Sequence, residues 1–224
     1  MKPRIALLLG DPSGIGPELV AKLLAHPGLA TANALVIGER WAFEDAQRLI
    51  GVVINAVQVN HSELAGATAG PAFLDTDSMQ KEDIAPGRPT AQAGSAVIRS
   101  LNLAVDLFRR GGIDAVCYAP LNKEALHAAG FRFPDELRFF AHELGHTANA
   151  GEINVLGNAW TSRVTSHVPL AQVAGLITPA AIQRAIQLLH HTVLKSGIAS
   201  PRIAVAALTP HAGDGGNFGR EEID

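Results

Sequence analysis

The sequence predicts an α/β fold in which helices cover both faces of a mainly parallel sheet. Short apolar runs alternate with segments whose apolar residues recur at helical spacing, and this alternation is typical of parallel strands joined by helices. The 224 residues are 47% hydrophobic and only 17% charged, so the chain can bury a sizeable core and disorder is not expected. This length allows one large domain or two small ones.

The first part of the chain predicts three strands and two helices. Ile5–Leu9 is a short apolar run that predicts a buried strand, and Pro17 marks the first turn of the following helix. Ala34–Ile37 and Val52–Val59 predict two further strands, with an amphipathic helix around Trp41 between them. These elements follow one another in the order expected for parallel strands with helical connections.

The later part continues the alternation after a less regular stretch. Asn60–Pro89 is rich in turn-forming residues and predicts mostly loop. A long helix is predicted over Thr90–Arg110, and it leads into a strand over Ile113–Tyr118. The pair Thr178–Pro179 is typical of a helix start, and Ile203–Leu208 predicts the last strand.

Charge and cysteine content argue against several classes of protein. The 18 lysines and arginines stand against 21 aspartates and glutamates, which gives no basic surface for a nucleic-acid partner. Cys117 is the sole cysteine, so we expect no internal disulfide and a cytoplasmic location. The first residues lack the pattern of a signal peptide, and no apolar run approaches the roughly 18 residues of a membrane span.

A glycine-rich loop, Gly10–Gly16, follows the first strand with the spacing G-x-x-x-G-x-G. Short-chain dehydrogenases share this spacing, but they also need Tyr-x-x-x-Lys on a helix, and here Tyr118 has Asn122 at that offset with Lys123 one residue later. The alternative is that the glycines only permit a tight turn. Asp11 places a carboxylate at the end of the sheet where α/β proteins bind ligands.

The segment His142–His146 matches H-E-x-x-H, the zinc-binding motif in which Glu143 would act as the general base. The extended form of the motif would require glycine at Asn149 and histidine at Glu152, so the third ligand is missing. A zinc metallopeptidase therefore stays an alternative beside a chance match. His146 and Thr147 suit a binding loop better than a helix.

Two further histidines, His167 and His211, each follow an apolar run of β-forming residues. At the carboxyl ends of parallel strands both would point to the same rim, where they can converge on one metal ion. The alternative for each is a hydrogen-bonded surface histidine. The matching contexts strengthen the metal hypothesis, and both alternatives stay open.

Five motifs occur together in an order that resembles the 4-hydroxythreonine-4-phosphate dehydrogenase (PdxA) family. They are Gly10–Glu18, Ala119–Glu124, Gly145–Thr147, the His167 segment and Pro210–Gly216. The resemblance implies an isocitrate/isopropylmalate-dehydrogenase-like fold and a homodimer. It also implies NAD or NADP and a divalent metal (Zn, Mg, Mn or Co) held by three histidines at the interdomain and dimer cleft.

The resemblance also implies a division of the chain and a set of site residues. We expect a first α/β subdomain over residues 1–125 and a second over residues 126–224 that carries the metal histidines. The implied site residues are Asp11 and Lys123 for catalysis, His146 and Thr147 for substrate binding, and His167 and His211 for the metal. No cofactor contact is assigned.

The implied activity is metal-dependent, NAD(P)-linked oxidation, with decarboxylation, of a phosphorylated four-carbon hydroxy acid. Tyr118–Lys123 and Arg163–His167 look closer to the paralogues acting on erythronate or threonate 4-phosphate than to the enzyme of pyridoxine biosynthesis. Because family members continue beyond the position of Asp224, the chain is expected to be C-terminally truncated. A truncated, inactive member that only folds and dimerises is therefore a further alternative.

Overall fold

A computed structural model describes residues 2–60 and 70–223, and the chain forms two compact units, Met1–Gly145 and His146–Asp224. The predicted α/β fold is confirmed, because the first unit is built on a five-stranded parallel sheet with helices on both faces. The division into subdomains at residue 125 stays a prediction.

The strands of this sheet are short and lie in the order β3-β4-β2-β1-β5. Their bounds are β1 Arg4–Leu8, β2 Asn33–Gly38, β3 Val57–Gln58, β4 Ala72–Asp75 and β5 Ala115–Tyr118. All neighbouring pairs are parallel, and β1 lies between β2 and β5. The carboxyl ends of all five strands therefore meet at one edge.

Among the described residues of the first unit there are five α-helices. Their bounds are α1 Gly16–Ala25, α2 Arg40–Ile50, α3 Ala91–Arg109, α4 Lys123–Ala128 and α5 Glu136–Glu143. All but α2 begin at a capping side chain or a proline. The predicted long helix is confirmed as α3, and the Thr90 side chain accepts a hydrogen bond from the Ala93 amide at its start. Over residues 2–60 and 70–223, no helix combines the length and the apolar character that membrane crossing requires.

The two faces of the sheet are buried against different helices. Leu7 and Val36 face the side covered by α1 and α2, where Phe43 stacks on Phe73 with ring centroids 5.3 Å apart. Leu8 and its same-face neighbours pack in the other core with α3. Because successive strand residues alternate between two buried faces, the strands have continuous apolar sequences.

Two sequence predictions about the first unit are wrong in detail. The strand predicted over Val52–Val59 is limited to Val57–Gln58. The stretch Asn60–Pro89, predicted as mostly loop, contains β4, which pairs with β2 and β3. The four residues of β4 lie between turn-forming residues, so their apolar pattern is too short to predict a strand from sequence. The position of β4 is set by its pairing with β2 and β3. Residues 61–69 of that stretch lie outside the described residues.

The second unit contains a small antiparallel hairpin and two helices. Their bounds are β6 Asn154–Leu156, β7 Ala159–Thr161, α6 Leu170–Leu176 and α7 Pro179–Lys195. The predicted helix start at Thr178 is confirmed, because its side chain accepts a hydrogen bond from the Ala181 amide. The predicted strand over Ile203–Leu208 is wrong: within the described residues this segment pairs with no strand.

Candidate functional site

The carboxyl edge of the sheet around β1 is the place where the strand order reverses. From β1 the chain moves to β2 on one side, and through α3 it later returns to β5 on the other side of β1. Ligands of open α/β sheets bind outside the carboxyl ends of the strands at such a reversal. The loops 10–13 and 119–122, which follow β1 and β5, therefore form the candidate site.

These two loops are joined by main-chain contacts. The Asp11 amide donates to the Pro120 carbonyl oxygen at 3.1 Å, and the Ala119 amide donates to the Leu8 carbonyl oxygen at 3.0 Å. Gly10 has φ +75°, and a Cβ atom there would lie 2.5 Å from the Pro120 oxygen. The first glycine of the loop is thus required by close approach as well as by its backbone conformation.

Asp11 is buried in this site, with 4% of its surface exposed. Its Oδ1 accepts hydrogen bonds from the Ser13 amide at 2.8 Å and from the Ser13 hydroxyl at 2.6 Å. An aspartate oxygen that accepts a hydrogen bond from the amide two residues later stabilises a turn. The described contacts of Asp11 shape the loop, and its catalytic role stays a prediction.

Lys123 lies at the start of α4, directly after the loop that follows β5, and its amine forms an ion pair with the Glu136 carboxylate. Glu136 is only 9% exposed, whereas half of the Lys123 side chain is exposed. The buried acid therefore anchors a lysine whose side chain is half exposed. Sequence analysis missed Glu136, and the only available signal was its position after the helix-capping Asp135.

A third buried carboxylate belongs to Glu39, directly after β2. It accepts hydrogen bonds from the hydroxyl groups of Thr76 and Ser78, which follow β4. The neighbouring Asp75 accepts a hydrogen bond from the Arg40 amide at 3.1 Å. These contacts tie the end of β2 to the end of β4. The sequence analysis missed this network too, although the polar residues after each strand were a visible signal.

The zinc-peptidase hypothesis fails on helix geometry. Helix α5 ends at Glu143, and Gly145 has φ +61°, so His146 is not on the helix that carries His142. The motif needs both imidazoles one turn apart on a continuous helix. The His142 ring instead packs against Phe133, with ring centroids 5.2 Å apart.

His167 lies in the second unit beside an acidic side chain. In the β6–β7 hairpin Asn154 pairs with Thr161. Extending this register by two residues places Glu152 opposite Arg163, and these two side chains form an ion pair. The other Glu152 oxygen lies 3.8 Å from His167 Nε2. The His167 side chain is 71% exposed, and its φ of +56° is unusual for a residue other than glycine.

The loop that carries His211 is held by Glu222. The Glu222 carboxylate accepts hydrogen bonds from the Leu208 amide and the Thr209 hydroxyl, both at 2.8 Å. The Thr209 oxygen accepts in turn from the Gly213 amide at 2.8 Å. The hydroxyl of Thr209, followed by the backbone donors, holds the pKa of Glu222 below its usual range.

The described residues do not form a complete metal site. No group of three or more His, Cys, Asp or Glu side chains in residues 2–60 and 70–223 is arranged to hold a metal ion. The strand-end argument for His167 and His211 is wrong, because β7 ends at Thr161, six residues before His167, and the described residues 201–210 directly before His211 form no strand. Metal binding by these histidines stays a prediction, as does substrate binding by His146 and Thr147, which lie exposed outside helices and strands.

Fold and site together define an α/β protein with a candidate ligand site at the carboxyl edge of a parallel sheet. The family profile described as Pyridoxal phosphate biosynthetic protein PdxA matches residues 30–224. The chain belongs to this family.

Relatives agree with this assignment. A Pseudomonas aeruginosa protein, provisionally named 4-hydroxythreonine-4-phosphate dehydrogenase 2, is 41% identical over 99% of this chain and 66% of its own length. The D-threonate 4-phosphate dehydrogenase of Cupriavidus necator is 38% identical over 98% of this chain and 66% of its own length. A Klebsiella pneumoniae 4-hydroxythreonine-4-phosphate dehydrogenase structure matches with a TM-score of 0.84 and 32% identity, covering all of this chain and 68% of that one. The chain thus spans about two thirds of the length of its relatives.

Proposed function

We propose that the chain is part of an NAD(P)-linked dehydrogenase that oxidises a hydroxyl group of a phosphorylated four-carbon acid. Support comes from family membership and from the two loops at the sheet reversal, which the bond between Asp11 and Pro120 holds together. A cytoplasmic location and a homodimer belong to the same proposal.

The chemistry assigns a task to each of the two catalytic candidates. Oxidation moves a hydride from carbon to the nicotinamide while the hydroxyl proton leaves to a base. In this proposal Asp11 accepts that proton, and the Lys123 ammonium stabilises the negative charge that develops on the oxygen. Glu136 holds the ammonium in place by its ion pair. A keto acid with the new carbonyl β to the carboxylate can then lose carbon dioxide.

The substrate of this proposal lacks an amino group. Tyr118–Lys123 and Arg163–His167 resemble the sugar-acid paralogues, and one relative is named D-threonate 4-phosphate dehydrogenase. We therefore expect erythronate or threonate 4-phosphate to be turned over faster than 4-hydroxythreonine 4-phosphate.

The experiment is to measure nicotinamide reduction with the three phosphorylated acids, each with NAD⁺ and NADP⁺ and with and without a divalent metal. Faster turnover of an acid without an amino group supports the proposal. Faster turnover of the amino acid corrects the substrate class. No reduction with any acid, in a protein that is folded, favours the alternative of an inactive member.

A further inference from the structure

The segment between β4 and α3 carries an arginine, Arg88, to which the proposed chemistry assigns no task. Residues 85–88, with the sequence Ala-Pro-Gly-Arg, form a β-turn in which the Arg88 amide donates to the Ala85 carbonyl oxygen at 3.0 Å. Proline is favoured at the second position of a type II turn, and Gly87, with φ +73°, supplies the positive φ of the third position. The local sequence therefore determines this turn.

The backbone of Arg88 is constrained on its other side as well. Pro89 follows directly, and a residue before proline is restricted to extended conformations. Thr90 then caps α3 and ties the chain to the start of that helix. Arg88 is thus held between a turn and a helix start, so its side chain leaves the backbone from a well-defined position.

This turn is attached to the candidate site. The Gly87 amide donates to the Ser13 carbonyl oxygen at 2.7 Å. The Ser13 amide and hydroxyl both donate to Asp11. A Cβ atom added to Gly87 would meet nothing within 4 Å, so the space beside the turn is open. A ligand at the loop after β1 is therefore close to the turn that carries Arg88.

Arg88 differs from two other basic residues that follow strands of the sheet. Arg40 forms an ion pair with Glu44, and Lys81 forms one with Asp45. The exposed Arg88 side chain has neither an ion pair nor a hydrogen bond among the described residues. Its guanidinium donors are therefore available to a ligand.

The substrate class of the proposed function requires such a group. In the proposed reaction the new carbonyl forms β to the carboxylate, so the phosphate of a four-carbon acid is attached to the next carbon. The phosphate therefore lies close to Asp11 and Lys123 when the hydroxyl group reacts. Lys123 is held by Glu136 and is assigned to the reacting oxygen, so the phosphate needs another cation. The planar guanidinium of arginine binds phosphate through two parallel hydrogen bonds.

We propose that Arg88 binds the phosphate group of the substrate. The inference rests on the proposed dehydrogenase function, which places the reacting hydroxyl group at Asp11. The substrate carboxylate is the other anion that a guanidinium can bind. The phosphate is favoured because it carries nearly two negative charges and three strong acceptor oxygens.

The test measures binding directly, so it does not require turnover. Erythronate, threonate and their 4-phosphates are titrated by calorimetry into the unmodified chain, Arg88→Ala and Arg88→Lys. Arg110→Ala is the matched control, because Arg110 follows the end of α3 and precedes β5, at the opposite edge of the sheet. Thermal melting shows whether each variant is folded.

We expect Arg88→Ala to weaken binding of the 4-phosphates by about 10- to 100-fold and to leave binding of the unphosphorylated acids unchanged. Arg88→Lys should lie between the unmodified chain and Arg88→Ala, because an ammonium group keeps the charge but loses the paired hydrogen bonds. Arg110→Ala should retain the affinity of the unmodified chain for all four acids.

Unchanged affinity for the 4-phosphates in folded Arg88→Ala overturns the assignment and leaves the dehydrogenase proposal intact. An equal loss for phosphorylated and unphosphorylated acids also overturns it, because Arg88 then binds the carboxylate. An unmodified chain that binds the 4-phosphates no more tightly than the unphosphorylated acids has the same consequence. If the expected binding differences occur but the unmodified chain reduces no nicotinamide, the dehydrogenase proposal fails and the phosphate site stands.

Discussion

Helix α4, which begins with Lys123, is seated by a very close approach to α3 at Gly94. A Cβ atom at Gly94 would lie 2.0 Å from the Ala125 carbonyl oxygen and 2.9 Å from the Ala129 Cβ atom. The substitution Gly94→Ala therefore forces α4 away from α3. The nearest obstacle is backbone, so no side-chain rotation can relieve the contact.

Two opposing effects decide the size of the change. Alanine is favoured over glycine inside a helix by about 1 kcal/mol. Overpacking a well-packed contact costs about 1–3 kcal/mol, and a backbone obstacle places this case at the upper end. The free energy of unfolding of the first unit should therefore fall by about 2 kcal/mol.

The matched control is Gly175→Ala in α6, where nothing lies within 4 Å of an added Cβ atom. Only the helix propensity acts there, so we expect stabilisation by up to about 1 kcal/mol. Urea unfolding is followed by Trp41 fluorescence in a Trp160→Phe background for the first unit, and by Trp160 in a Trp41→Phe background for the second. Unchanged or increased stability in Gly94→Ala would refute the close-packing argument.

Two further predictions concern the second unit. If His167 and His211 bind metal, His167→Ala and His211→Ala should each weaken Zn²⁺ affinity in calorimetry by at least about tenfold, with His190→Ala as the control; unchanged affinity in both variants would remove the metal assignment. For Glu222 the folded pKa is lowered from 4.5, so its stabilisation of the His211 loop is fully present above that ordinary pKa and is lost as the pH falls through the lowered value. Hydrogen exchange of residues 208–213 should show this acid-dependent opening in the unmodified chain but not in Glu222→Gln, and its persistence in the variant would contradict the assignment.

The sequence predicted the elements whose signals are local. Arg4–Leu8 and Asn33–Gly38 are strands buried on both faces and have continuous apolar sequences. The long helix α3 combines a capping threonine with apolar residues at helical spacing. In each case a single short stretch of sequence contains the complete apolar pattern that predicts the element.

The elements and contacts that were missed depend on partners distant in sequence. The four residues of β4 form a strand because β2 and β3 lie on either side, whereas Ile203–Leu208 has the apolar pattern but no strand partner within the described residues. The pairing of Lys123 with Glu136 spans a turn and the start of another helix. Spacing along the chain does not encode such a contact.

The central claim is that Lys123, anchored by Glu136 at the reversal of the sheet, takes part in oxidation of the substrate. The most direct test compares kcat for NADH formation in the unmodified chain, Lys123→Ala and Lys195→Ala, a surface control in α7. The account predicts that Lys123→Ala lowers kcat by about 10²- to 10⁴-fold, while Lys195→Ala retains the rate of the unmodified chain. Equal rates in the folded Lys123→Ala variant and the unmodified chain would contradict it.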